Sequence, residues 1–185
     1  MRELKEDSFY KILSEKYDEL LLDYVFLSFD EEYQEEETHK KAVMEAISVF
    51  NTRGRVGNSL KHPHFYVDEG KMCCKEYSVE DFFCDGNSSW KISGNTRVRI
   101  TPDYMTYWWA FFEPPYGVPY SKEDFHKINH TLFPVQFRND LEIYSWNDDF
   151  SNYFDDGKEW WGTAMWSVYD RWMNRFVVIG ASLTD

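Results

Sequence analysis

The sequence predicts an α+β fold: a twisted antiparallel sheet of about five to seven strands with helices packed on one side. Three observations lead there. Helical periodicity is confined to residues 7–50 and to a stretch near 121–133. The rest reads as alternating or doubly apolar runs separated by Gly, Pro, Asn and Asp. The apolar content is weighted toward aromatics, with 8 Trp, 13 Tyr and 15 Phe among 185 residues. Such side chains suit pleated sheet surfaces.

From Asp7 to about Leu20, the residues Phe9, Ile12, Leu13, Tyr17 and Leu20 recur at helical spacing, with Asp7 or Ser8 as the cap. Leu22 to Phe29 reads as a buried strand. A second helix is predicted to open at Asp30. Its apolar stripe is Val43, Met44, Ile47 and Phe50, and Glu36–Lys40 and Glu37–Lys41 pair at i,i+4. The acidic run Glu31, Glu32, Glu35, Glu36 and Glu37 then forms its solvated first turns, where negative charge suits the helix dipole. Residues 51–63 turn to Gly, Asn, Arg and Lys, marking a surface loop. With His64, this stretch holds the basic cluster Arg53, Arg55, Lys61, His62 and His64.

His64–Asp68 and Lys71–Tyr77 read as a hairpin around Asp68-Glu69-Gly70. Asp85-Gly86-Asn87 reads as a turn, and Thr96 to Thr101 alternates as a strand. After the turn Thr101-Pro102-Asp103, Tyr104 to Phe112 is apolar on both parities and is predicted as a strand that is covered on both faces or lines a barrel and packs outside as well. The prolines of Glu113 to Pro119 end it. Ser121 and Asp124 form a capping box for a helix whose inner face is Phe125, Ile128, Leu132 and Phe133, and Pro134 stops it. Leu141–Trp146, Trp161–Tyr169 and Arg175–Leu183 follow as strands. The last two are joined by a short polar turn around Asp170 and Asn174. With no internal repeat and no linker composition, residues 1–185 are expected to form one domain.

The net charge is −13. Binding to nucleic acid needs a basic face, so nucleic acid is not an expected partner. The charge is uneven: residues 1–50 hold 14 acids against 6 bases, residues 51–100 hold 6 against 8. An acidic face repels anionic membranes and attracts a basic protein. The opening residues Met1 to Asp7 carry no apolar signal core, and no run approaches the ~18 apolar residues of a membrane span, so a cytoplasmic location is expected. The 3 cysteines, Cys73, Cys74 and Cys84, fit neither a disulfide framework nor a zinc ribbon.

No catalytic residue, metal ligand or cofactor is assigned. Asp148, Asp149, Asp155, Asp156 and Glu159 cluster, but without the spacing of a calcium loop. Asp is also favoured in turns for backbone reasons. His126 and His130 lie at i,i+4, where two imidazoles can reach one metal ion, yet the Glu of a His-Glu-x-x-His motif is missing. His62 and His64 flank a proline in a loop. No nucleophile elbow, phosphate loop or dinucleotide fingerprint is present. The candidate ligand site joins Trp108, Trp109, Glu113 and Tyr116 to Asp155, Asp156, Glu159, Trp160 and Trp161. Aromatic walls beside carboxylates suit sugars and other small ligands, although aromatics at strand spacing are more often core.

Three motifs carry a resemblance. They are Trp108-Trp109-Ala110-Phe111-Phe112-Glu113-Pro114-Pro115-Tyr116-Gly117, the run from Asn152 through Asp155-Asp156-Gly157 and Trp160-Trp161 to Thr163, and the ending Ala181-Ser182-Leu183-Thr184-Asp185. With Leu141-Glu142-Ile143-Tyr144 between them, they make the C-terminal half resemble a family of small Trp-rich proteins of gut and soil Firmicutes. That family has no established activity and so implies no catalytic residues. Small acidic proteins of this type sometimes serve as immunity proteins against secreted toxins.

Two functions are therefore carried forward. The first is a non-enzymatic interaction protein, of immunity or antitoxin type, that meets a basic protein partner. The second is a small-molecule or carbohydrate-binding protein, or a hydrolase, with its pocket among the paired tryptophans and the acidic turn.

Overall fold

Three strands are apolar on both parities and cannot be satisfied by cover on one side. They are Asp23–Ser28, Gly162–Asp170 and Arg175–Leu183. Their requirement organises the fold seen in the computed structural model, which describes residues 1–53, 64–83, 90–93, 96–99, 105–112, 120–134, 140–158 and 162–183.

In chain order the elements begin with β1 (Arg2–Glu3), α1 (Ser8–Lys16), β2 (Asp23–Ser28), α2 (Glu35–Arg53), β3 (Cys74–Glu76) and α3 (Val79–Phe83). They continue with β4 (Trp90–Ser93), β5 (Thr96–Arg99), α4 (Tyr107–Phe112), α5 (Lys122–Leu132) and β6 (Leu141–Trp146). The last are α6 (Asp155–Lys158), β7 (Gly162–Asp170) and β8 (Arg175–Leu183). Six strands form one antiparallel sheet in the order β1-β2-β8-β7-β6-β3, and β4 and β5 pair separately. The α+β class and a six-stranded antiparallel sheet agree with the sequence reading.

Helices cover both faces of the sheet rather than the one expected. Tyr24 and Phe26 of β2, Trp166 and Val168 of β7, and Val177 and Ile179 of β8 face α1, α3, α4 and α5. Val25, Leu27, Met165, Tyr169, Phe176 and Val178 face α2 and the segment Phe150–Phe154. Each large side chain so buried contributes roughly 1.5–3 kcal/mol. The doubly apolar strands are the physical reason for the second layer.

Local chemistry sets the helix ends. The Asp7 carboxylate accepts the Phe9 N–H at 2.9 Å to cap α1. On α5 the capping box of Ser121 and Asp124 is complete, and Phe125, Ile128 and Leu132 are buried as read from the sequence. α2, however, starts at Glu35 and not at Asp30. The Thr38 hydroxyl accepts the Gln34 N–H at 2.7 Å, and Glu35 takes a positive φ of 39°. Lys41 pairs back to Glu31 at 3.1 Å and Lys40 to Glu69 at 3.9 Å, in place of the expected pairs along the helix.

Two strand expectations are corrected. Tyr107–Phe112 is helix, not strand. The Thr106 hydroxyl accepts the Trp109 N–H at 3.1 Å, and the buried Tyr107, Ala110 and Phe111 fall at i, i+3, i+4. A short, wholly apolar run fits either period. The hairpin around Asp68-Glu69-Gly70 does not form either. Asp68 caps a single 3₁₀ turn, Asn51 and Asn152 satisfy the backbone of residues 64–66, and β3 pairs with β6. The turns at 85–87 and 101–103 and most of the basic loop 51–63 lie outside the described residues. Arg53, at that loop's start, donates to the Tyr24 carbonyl and to Glu3, both at 2.7 Å. No helix among the described residues is long and apolar enough to cross a membrane.

Candidate functional site

The four described members of the predicted ligand site do not converge. Trp109 is buried, and Trp108 is half-buried against Phe112 and Phe125, with ring centroids 4.3 and 4.8 Å away. Both lie on α4, on the first face of the sheet. Asp155 and Asp156 are exposed on α6, which packs on the opposite face through Gly157, whose N–H donates to Ser182 at 3.2 Å. Glu113, Tyr116, Glu159, Trp160 and Trp161 lie outside the described residues. The neighbouring carboxylates have protein partners: Asp148 accepts from the Thr163 hydroxyl at 2.6 Å, and Asp149 pairs with Lys158 at 3.2 Å.

An open groove of about 710 Å³ lies elsewhere, between α1 and α5, over Ile12, Tyr17 and Ile128. His126 and His130 are on its rim, but among the described residues no three His, Cys, Asp or Glu side chains gather to hold a metal ion. Burial, with Glu36 nearby, pushes the Cys74 thiol up to about 12, so the nucleophilic thiolate is suppressed at neutral pH.

The most organised polar feature runs from the core to the turn between β7 and β8. At its inner end the indole N–H of Trp146 donates to Ser167 Oγ at 2.8 Å. Ser167 and His39 are fully buried, and Ser167 Oγ lies 2.8 Å from His39 Nδ1. His39 Nε2 lies 3.0 Å from the Tyr33 hydroxyl, which donates to Glu142 Oε2 at 2.6 Å. The outer end is an ion pair between Glu142 and Arg171.

The proton positions follow from this chain. The Tyr33 proton is used on Glu142, so the Tyr33 oxygen accepts from His39 Nε2–H. Nδ1 then accepts from the Ser167 hydroxyl. Every donor in the chain then has one acceptor, and the imidazole is neutral. Burial pushes the His39 pKa down to about 3, which agrees with that assignment. Burial and the hydrogen bond to Glu142 both raise the pKa of Tyr33, keeping its proton in place.

Tyr33 also stacks on Tyr169, with centroids 4.2 Å apart, and the Arg171 guanidinium lies 5.8 Å over its ring. The network thus fixes the loop Asp30–Gln34 against the β7–β8 turn. The turn is pinned from within as well. Asp170 Oδ1 accepts the Met173 N–H at 3.0 Å, and Tyr169 donates to Asn174 Oδ1 at 3.0 Å. Asn174 takes φ 47°, a conformation Asn tolerates. The turn falls where it was expected, around Asp170 and Asn174, but its centre is apolar: Trp172 and Met173 are 66% and 46% exposed.

No family model matches the chain, and no curated protein matches it. The reading of the site therefore rests on its own chemistry. The sequence reading missed Tyr33, His39, Ser167, Trp172 and Met173. Only the last two left a signal: a Trp-Met pair between two turn-forming residues, where polar residues are usual.

Proposed function

We propose that this chain is a non-enzymatic interaction protein, of immunity or antitoxin type, that binds a basic protein partner. The observation that carries the reading is the segment Asp30–Glu37. Its six carboxylates, on Asp30, Glu31, Glu32, Glu35, Glu36 and Glu37, are all exposed. Among the described residues one ion pair engages them, from Lys41 to Glu31. Helix electrostatics accounts for the three in the first turn of α2. It does not account for Asp30, Glu31 and Glu32, which precede the helix on a loop held in place by Tyr33. A fixed row of carboxylates raises the encounter rate with a basic surface and sets the orientation of docking.

The fully buried Ser167–His39 pair supports the non-enzymatic side of this reading. Its serine hydroxyl is spent on Nδ1, where no substrate reaches it. The test is affinity capture from the native host with the full chain, at low and high salt. The expected partner is basic, and its retention falls steeply between 50 and 500 mM salt, roughly tenfold or more for a charge-steered interface. Reversing Asp30, Glu31 and Glu32 to Lys abolishes capture. No salt-sensitive partner, or an acidic one, removes the proposal.

A further inference from the structure

We infer that the β7–β8 turn is the anchor of that interface, with Trp172 and Met173 entering an apolar pocket on the basic partner; this rests on the interaction reading above. Five tryptophans have described side chains. Trp109, Trp146 and Trp166 are buried, Trp108 is half-buried, and only Trp172 is exposed. Single exposed apolar residues are ordinary on protein surfaces. An adjacent Trp and Met at the apex of a turn are not, because turn chemistry selects polar residues there.

The turn is also built to be rigid. Asp170 and Asn174 fix its backbone, Arg171 is held by Glu142 and by the Tyr33 ring, and the Arg171 N–H donates to the Asp140 carbonyl at 3.1 Å. A rigid aromatic presented on a fixed turn loses little conformational freedom on binding, which is how interface hot spots arise.

The surroundings select the occupant. Asp30, Glu31, Glu32 and Asp140 are exposed; Arg171 is paired to Glu142 and Lys41 to Glu31, and the exposed Arg2, opposite Ser28, leaves the carboxylates of this end in excess. This is an apolar centre with an acidic rim, so its complement is an apolar pocket with a basic rim. A second copy of the chain would bring carboxylates against carboxylates. An anionic bilayer would be repelled by the same rim.

The experiment uses the full chain with a photo-crosslinking amino acid at position 32, 66 or 173. Tyr66 is the comparison site, because among the described residues it is the other strongly exposed aromatic, at 60%. Expected are adducts of one basic protein at 173 and at 32, and none at 66. Trp172→Ala then weakens binding of that protein by about 30-fold or more, with Trp172→Phe intermediate and both variants folded at the temperature of the assay.

Adducts at 32 or 66 without one at 173 overturn this inference and leave the interaction reading standing. So does a loss below about threefold for Trp172→Ala. An adduct at 173 with a second copy of the chain overturns it, as does a blue shift of Trp172 fluorescence on phosphatidylglycerol vesicles. No adduct at any position removes both readings.

Discussion

Ser167 Oγ and His39 Nδ1 meet at 2.8 Å inside the core, and the same hydroxyl receives the indole N–H of Trp146. One oxygen thus serves two buried partners on two other elements. Ser167→Ala leaves both without a partner, at a cost of roughly 2–4 kcal/mol. Urea unfolding checks this. In the double variant Ser167→Ala/Trp146→Phe the orphaned indole N–H is gone, so the total falls short of the sum of the single variants.

His39 gives stability a pH dependence whose sign is fixed by burial. Its folded pKa is about 3, below the ordinary imidazole value of 6.5. The unfolded chain binds the proton first. The contribution is therefore complete above pH 6.5 and is lost progressively as pH falls toward 3. It reaches on the order of 3–5 kcal/mol over that window. His39→Gln keeps a polar group without the titration. The difference in urea midpoint between it and the native chain is predicted to shrink as pH drops from 7 to 4, and a constant difference would show that His39 titrates normally.

These two residues also show what could be read in the sequence. His39 sits in a run of charged residues at the start of α2, and Ser167 interrupts an apolar strand. Nothing local says that they meet across 128 positions. What was legible is what local chemistry decides. Examples are the Asp7 cap, the Ser121–Asp124 box, the alternation of β6 and the apolar runs of β2, β7 and β8. The second helical layer was not read, although its signal was present: β2, β7 and β8 are apolar on both parities, and such strands need two covers. Where the pattern fits both periods, as in Tyr107–Phe112, tertiary packing decides. The ligand site drawn around paired tryptophans failed to gather its described members for a related reason: adjacency in sequence does not fix the face of the sheet on which a segment packs.

Asp7 does two jobs that substitution separates. It accepts the Phe9 N–H at 2.9 Å, and at 3.1 Å it holds Arg175, which also donates to the Leu132 carbonyl at 2.8 Å. The carboxylate thereby ties α1, β8 and the end of α5 together. Asp7→Asn keeps the cap and drops the ion pair, with an expected loss of roughly 1–3 kcal/mol for this mostly buried pair. Asp7→Ala loses the cap as well, for about 1 kcal/mol more. Equal losses in thermal or urea unfolding would show that only the ion pair matters.

Gly180 is required by a close approach and not by its backbone angle. A Cβ there would lie 2.6 Å from the Tyr153 hydroxyl oxygen and 3.2 Å from Cζ. That ring has no room to yield. It stacks on Phe50 at 5.1 Å, meets Phe65 edge-on at 5.5 Å, and its hydroxyl donates to Asp23 at 2.7 Å. Gly180→Ala is therefore expected to cost roughly 1–3 kcal/mol through overpacking, although alanine is the better residue for a strand interior. Tyr153→Phe alone loses one hydrogen bond, about 1 kcal/mol. In the double variant the missing hydroxyl makes room for the methyl group, so its unfolding free energy lies above the value that simple addition of the two losses gives. Strict additivity would place the strain at Met165, whose Cε is 3.4 Å from the same point.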